Sequence, residues 1–361
     1  MKALPALIIA AASLACSLPA MPQQTRILTA DKHNEYGLVY SLPVTSLRFE
    51  VTARHTVNHA GPYYQYAKKY IGTDRVIKED SEQWEILSVK AVPFGTADTE
   101  NQYLMQLKPG AVTSICVADD GMLLAINKEV QAPVLPDPAA DSDLESEVGI
   151  REYLQYVNED FLASQSSAKQ AQMLSESLME VRDARVSLTR GTAETMPTDG
   201  RQLELMLNSL AHQEAAMTAA FRGATDTQTV TRTFTFTPEK DGRQILFRMS
   251  DFAGFVASDD YSGEPVYINV KTTREPELPV DAKGEEKKIP KDAVMYNIPG
   301  SAMITLSLAG ETLWSGEVEC AQLGITFGLQ PTLFSDRKAR SFATFNPSNG
   351  ALVQIGEVNA E

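Results

Sequence analysis

The spacing of apolar residues changes twice along the chain, and those changes restrict the fold more than any single motif does. From Tyr36 to Val130 the stretches "GLVYSLP", "SLRFEVTARHTV", "QWEILSVKAV", "QYLMQL", "TSICVA" and "MLLAIN" follow a period of two. They are rich in β-branched and aromatic residues, the pattern of strands with one buried face. From Gly149 to Gly223 the spacing is helical. Ile150, Leu154, Val157 and Phe161 draw one stripe, Ala171, Leu174, Leu178, Val181 and Leu188 a second, and Leu203, Leu207, Leu210, Met217 and Phe221 a third. Period two returns at "TQTVTRTFTFTPE" and runs to "ALVQIGEV". This patterning predicts an α+β chain in which two β-rich domains flank an antiparallel helical hairpin. The hairpin follows from two runs of equal length, 167–189 and 200–222, joined by "RGTAETMPTDG", with Asp199 as N-cap and Gly223 as C-cap.

The boundaries that follow are a signal peptide over 1–20, an N-terminal β-rich domain over 21–130 with a short helix at 62–71, and an acidic Pro-rich linker over 131–148. The helical hairpin then occupies 149–223 and a C-terminal β-rich domain 224–361. Pro43 predicts an edge strand or a break. The linker's acids at 141, 143, 145 and 147, with Glu152, approach calcium-loop spacing. Ser146 stands where such a loop needs glycine, so the acids read as a solvated linker. Across the hairpin, equal rise along both helices predicts an Arg185–Glu204 contact.

The two β-rich segments resemble each other in order. "VYSLPVTSL" matches "MYNIPGSAM" around Pro43 and Pro299, Trp84 and Trp314 follow, then "PFG" and "TFG", and finally "DGMLLAINKEV" and "NGALVQIGEV" around Gly121 and Gly350. An internal duplication is the expectation. "GPYYQYAKKYIG" falls in the insertion that lengthens the first copy. With Pro62 opening and Gly72 closing a helix, Tyr63, Tyr66 and Tyr70 share one face and Lys68 and Lys69 another. The adopted reading is an amphipathic helix docked on its sheet. The competing one is a sugar-stacking platform, and Tyr63, Tyr64, Tyr66 and Tyr70 are accordingly the candidate ligand or partner surface.

Lys2, the apolar run "ALPALIIAAASLAC" and the small residues ending at Ala20 predict an export signal, with lipid anchoring at Cys16 as the alternative. No later segment is apolar for the roughly 20 residues a membrane helix needs. Two readings stand for Cys116 and Cys320: one disulfide, or two buried thiols. The net charge of −15 argues against nucleic acid and against an anionic membrane surface.

"GPYYQYAKKYIG", "MPTDGRQLELMLNSLAHQEAAMTAAFRG", "ILFRMSDFAGFVASDDYSGEPVYINV" and the closing "YNIPG" to "FNPSNGAL" together resemble an exported Bacteroidetes family catalogued as a domain of unknown function (DUF4831-like). The resemblance implies an origin in a Gram-negative envelope, periplasmic or associated with the outer membrane. It implies no reaction, cofactor or catalytic residue.

The four histidines, His33, His55, His59 and His212, form no metal spacing, since His55 and His59 lie four apart on a strand. No nucleophile elbow, zinc-protease helix or phosphate loop is present in the sequence. The expected function is therefore a non-enzymatic, cofactor-free envelope protein that binds a protein or glycan partner. The alternative is a carboxylate-dependent hydrolase acting on an exported glycan.

Overall fold

In chain order the strands and helices are β1 (Arg26–Leu28), β2 (Leu38–His59), α1 (Ala67–Tyr70), β3 (Ser81–Met105), β4 (Ile115–Val117), β5 (Leu123–Ile126), β6 (Glu145–Ser146), α2 (Glu159–Ala163), α3 (Ser167–Arg190) and α4 (Gly200–Arg222). They continue with β7 (Ala224–Phe236), β8 (Gly242–Ser250), β9 (Gly254–Val256), β10 (Glu264–Arg274), β11 (Val294–Leu308), β12 (Glu311–Leu329), α5 (Thr332–Ser335), β13 (Ser341–Phe345) and β14 (Leu352–Glu357). The computed structural model describes residues 26–28, 38–105, 114–146, 148–290, 293–335 and 341–358. It is a mixed fold in which strand predominates over helix.

Three antiparallel sheets have the orders β3-β2-β7-β6, β12-β11-β10-β8-β9 and β1-β4-β5-β13-β14. Alternation along β2 puts Leu47, Phe49, Val51 and Ala53 on one fully buried face. That face meets Val266, Ile268 and Val270 of β10 and Ala302, Ile304 and Leu306 of β11, which closes the first two sheets into a sandwich. Trp314 stands edge-on to Phe49, with ring centroids 5.5 Å apart. Trp84 lies against Gly254, where φ is +67° and a Cβ would come within 2.8 Å of the indole.

Both long hairpins carry the same irregularity. From Ser41↔Gln102 to Val44↔Thr96, three steps along β2 span six along β3; from Asn297↔Thr326 to Gly300↔Cys320, three along β11 span six along β12. Beyond these bulges, Tyr40, Leu42, Met105 and Val294 pack under the third sheet against Ile115, Leu123, Ile126, Ala343 and Phe345. The bend in β2 is held across the molecule by Gln322. Its Oε1 accepts from the Thr45 N–H at 3.0 Å, and its Nε2 donates to the Thr45 carbonyl at 2.9 Å and to the Pro238 carbonyl at 2.6 Å. The buried Thr45 hydroxyl accepts from Ala321 N and donates to the Ser348 carbonyl, both at 3.0 Å.

Several details depart from the sequence reading. Pro43 does not end its strand: β2 runs through it, and the expected break is a bulge between Ser41 and Pro43 in the β2–β3 ladder, at a point that β7, pairing only over Leu47–His59, does not reach. Strands of the two expected β-domains share sheets, since β2 pairs with β7 over Leu47–His59 and β5 pairs with β13. Residues 131–148 do not form a free linker. Ser142 N donates to Thr229 O, Glu145 pairs with Thr227, and Asp141 accepts from Thr231 N and pairs with Arg232, so the outer edge of β7 is satisfied there. Trp84 and Trp314 occupy corresponding strands but not corresponding positions. Trp84 faces His55 and Trp314 faces Leu306, whose ladder equivalent in the first hairpin, Glu50, faces Lys90. "PFG" and "TFG" are likewise out of step, with Gly95 facing Thr45 and Gly328 facing Met295.

The helices bury their stripes against each other. Leu174 and Leu178 of α3 and Met217, Ala220 and Phe221 of α4 form one core with Tyr63, Tyr153 and Phe161. Ser166 and Asp199 cap α3 and α4 through hydrogen bonds from Lys169 N and Arg201 N. Arg185 does not meet Glu204. It pairs with Glu214 at 2.8 Å, as does Arg182. The connection over 191–199 lets α4 begin more than one helical turn beyond the end of α3, which shifts the register. Cys116 and Cys320 are both buried free thiols.

Candidate functional site

Gly223 turns α4 directly into β7, and this junction brings one face of the helix pair over the edge of the first sheet. The segment before β3 closes the end: Ile77 N donates to the Arg222 carbonyl at 2.8 Å. The space enclosed is a groove of 1320 Å³ between α3, α4, β6, the start of β7 and residues 75–77. Four arginines line it, Arg75, Arg182, Arg185 and Arg222, with the two carboxylates Glu145 and Glu214.

The charges divide into a fixed set and a rim. The Glu214 side chain retains 16% of its exposure. Its Oε1 accepts from Arg182 Nε at 2.8 Å and its Oε2 lies 2.8 Å from Arg185 Nη1, so one half-buried carboxylate is shared by two guanidinium groups. Arg75 and Arg222 are exposed at the rim and have no ion-pair partner among the described residues. Arg222 sits in the last turn of α4, where the helix dipole favours a cation. The groove thus concentrates positive charge in an acidic protein, and planar guanidinium donors suit carboxylate, sulfate or phosphate oxygens.

The tyrosines expected to form the surface are arranged otherwise. Tyr63 is a buried wedge whose ring stands edge-on to Tyr153 and Phe161, and its hydroxyl donates to Gln170 Oε1 at 3.2 Å. Burial pushes the Tyr63 phenol well above its ordinary pKa. Tyr66 and Tyr70 are half-buried on the same helical core, Tyr66 hydrogen-bonding Ser167. Tyr64 is half-buried and accepts from Gln65. Lys68 and Lys69 are exposed. The segment docks on α3 and α4 rather than on the sheet, because Gly61 lets the chain approach α4 closely. A Cβ there would lie 2.7 Å from the Ala220 carbonyl oxygen, to which Tyr63 N donates at 2.9 Å. None of the four tyrosines lines the groove.

His55 bonds Glu82, His59 bonds Asp226 and His212 bonds Glu152, so each described histidine serves a local pair. No cluster of His, Cys, Asp and Glu able to hold a metal occurs among the described residues, and no described helix is long and apolar enough to cross a membrane. Asp98, Asp141, Glu152, Asp241, Asp260 and Asp281 are all held below the usual carboxylate range. The leading cause in each is a hydrogen bond, from Asn101, Thr231, His212, Thr272, Ser262 and Glu285 respectively.

The sequence reading missed the arginine groove, since its residues come from four separated segments. The one signal was the presence of Arg185 and Glu214 on otherwise apolar stripes. No curated protein and no solved structure matches the chain. The model of the family described as "Domain of unknown function (DUF4831)" matches residues 36–353, and the chain belongs to that family.

Proposed function

We propose that the protein is a non-catalytic, exported component of a Gram-negative Bacteroidetes envelope that holds a polyanionic partner, an acidic protein segment or acidic glycan, in the arginine groove. The observation carrying this reading is the convergence of Arg75, Arg182, Arg185 and Arg222 on one groove in a chain of net charge −15. Export and a periplasmic or outer-membrane location rest on the apolar N-terminal run before Ala20. The test is calorimetric titration of the intact protein with polyglutamate and with polygalacturonate at low and moderate salt. Binding should weaken at least tenfold in Arg75→Ala/Arg222→Ala with unfolding unchanged. Equal binding by that variant, or cleavage of the glycan, would overturn the reading.

We infer also that the β-rich body is an internal duplication served by the α3–α4 hairpin as an inserted unit. The matched bulges support it, as do two equivalent turns: Ser41 N donates to Gly121 O and Asn297 N to Gly350 O, each at 3.0 Å. Gly121 and Gly350 both have positive φ, 89° and 72°.

A further inference from the structure

The third sheet applies one pairing rule twice and leaves it unfinished at one edge. In the first unit Val117 faces Leu123, Cys116 faces Ala125 and Ile115 faces Ile126. In the second, Phe345 faces Leu352, Thr344 faces Gln354 and Ala343 faces Ile355, with the register shift at the same place. β4 is thus the counterpart of β13, and β5 of β14. The outer edge of β5 carries β13, through Ile126↔Ala343 and Ala125↔Thr344. The outer edge of β14 carries no strand among the described residues. The difference shows in exposure: Leu124 and Ile126 are 1% and 0% exposed, whereas their counterparts Val353 and Ile355 are 65% and 44% exposed. β14 also has no proline or lysine and is uncharged before Glu357; its bulge at Val353 is matched by one at Leu124 of β5, which carries β13 all the same.

The strand that fits this edge is encoded in the same chain. Whatever pairs with β14 as β13 pairs with β5 must resemble β13, and β4 is that strand. The outer edge of β4 holds only the three residues of β1, with Leu28 opposite Ile115 and Ile27 opposite Cys116. Those are the positions that the internal rule gives to Ile355 and Gln354. We propose that β14 of one molecule takes, on β4 of a second copy, the place held by β1, so that copies join head to tail. Direction is consistent, since β1 on β4 and β5 on β13 are both antiparallel. The interface is heterologous and therefore extends into a ring or filament rather than closing as a dimer. β1 is the plug that must leave. This inference rests on the equivalence of the two strand pairs and is independent of the arginine groove.

Directly opposed residues on antiparallel strands have Cα atoms roughly 4.5–5.5 Å apart, within reach of a disulfide. Gln354→Cys should therefore cross-link to the native Cys116 of the next copy. Within one molecule β5 and β13 stand between these positions, about 14 Å apart at the usual strand spacing, so an intramolecular bridge is excluded. In the full chain carrying Cys16→Ser and Cys320→Ala, copper-phenanthroline oxidation of Gln354→Cys should give a ladder of dimers, trimers and higher species on a non-reducing gel. The ladder should fall at least tenfold when Cys116→Ala is added. A dimer that survives Cys116→Ala would mean that β14 pairs with β14 and would overturn the proposal, as would monomer alone. Sedimentation of the otherwise native chain gives a second readout. Its average mass should rise with concentration up to on the order of 100 μM, a weak affinity fitting a small interface. Val353→Lys, at an exposed position, should abolish the rise; a mass that stays monomeric, or a rise unaffected by Val353→Lys, refutes the head-to-tail joint.

Discussion

At Gly223 the backbone has φ of +91°, and an added Cβ would stand 2.5 Å from the His59 carbonyl oxygen and 2.7 Å from the Ile77 Cβ. With ψ of 172° this is a region that is essentially glycine-only and costs an ordinary residue roughly 1–3 kcal/mol, and the backbone contact adds to it. Gly223→Ala should therefore lower stability by about 2 kcal/mol or more in urea unfolding; an unchanged midpoint would show that the junction has slack. Burial raises the Cys320 thiol to about 11 from 9.0. A group whose folded pKa is raised contributes stability below its unfolded pKa and loses it as pH rises through the folded value. Stability should thus decline between about pH 9 and 11, and Cys320→Ala should flatten that decline; equal slopes in both proteins would contradict it. The sequence indicated Gly223 as a helix terminator because glycine there has a local meaning. It held no sign that His59 and Ile77 crowd the same residue, since that contact depends on where β2 ends.

Among the elements, the tyrosine segment and the Gln322 clasp carry contrasting lessons. The alternation of lysines and tyrosines correctly separates exposed Lys68 and Lys69 from the partly or fully buried rings, because amphipathic spacing is a local property. Which surface the rings meet is not local, and the docking on α3 and α4 is set by the close approach at Gly61. Tyr63→Ala should lower stability by about 3 kcal/mol, as truncation of a buried aromatic does, and Tyr66→Ala by clearly less, given its half-exposed ring. Comparable losses in thermal or urea melts would contradict this ranking. Gln322→Leu strands the Thr45 N–H and the carbonyls of Thr45 and Pro238. Each unsatisfied buried group costs about 1–3 kcal/mol, so the variant should lose more than Tyr66→Ala. Nothing in the pattern around "CAQLG" marked this residue. Its role exists only because the bulge in β12 turns it toward the bend in β2.

For the whole molecule, strand and helix content were legible from periodicity, while the division into separate β-domains was not. Pairings such as β2 with β7 are choices between sheet edges distant in sequence, and composition does not record them. The exposed, charged stretch 275–289 separates β10 from β11 without holding the sandwich together by itself. Limited proteolysis there should leave two fragments that co-elute on size exclusion and part only in denaturant; separation in native buffer would argue for independent halves. The sharing of the third sheet has a further consequence, in time rather than in space. A chain made from its N-terminus completes β4 and β5 early, yet Ala125 must wait for Thr344 before its edge is covered. Non-local pairings of this kind slow folding, since the loop must close before any contact rewards it. The first half of the protein therefore stays unfinished until nearly the last strand has emerged.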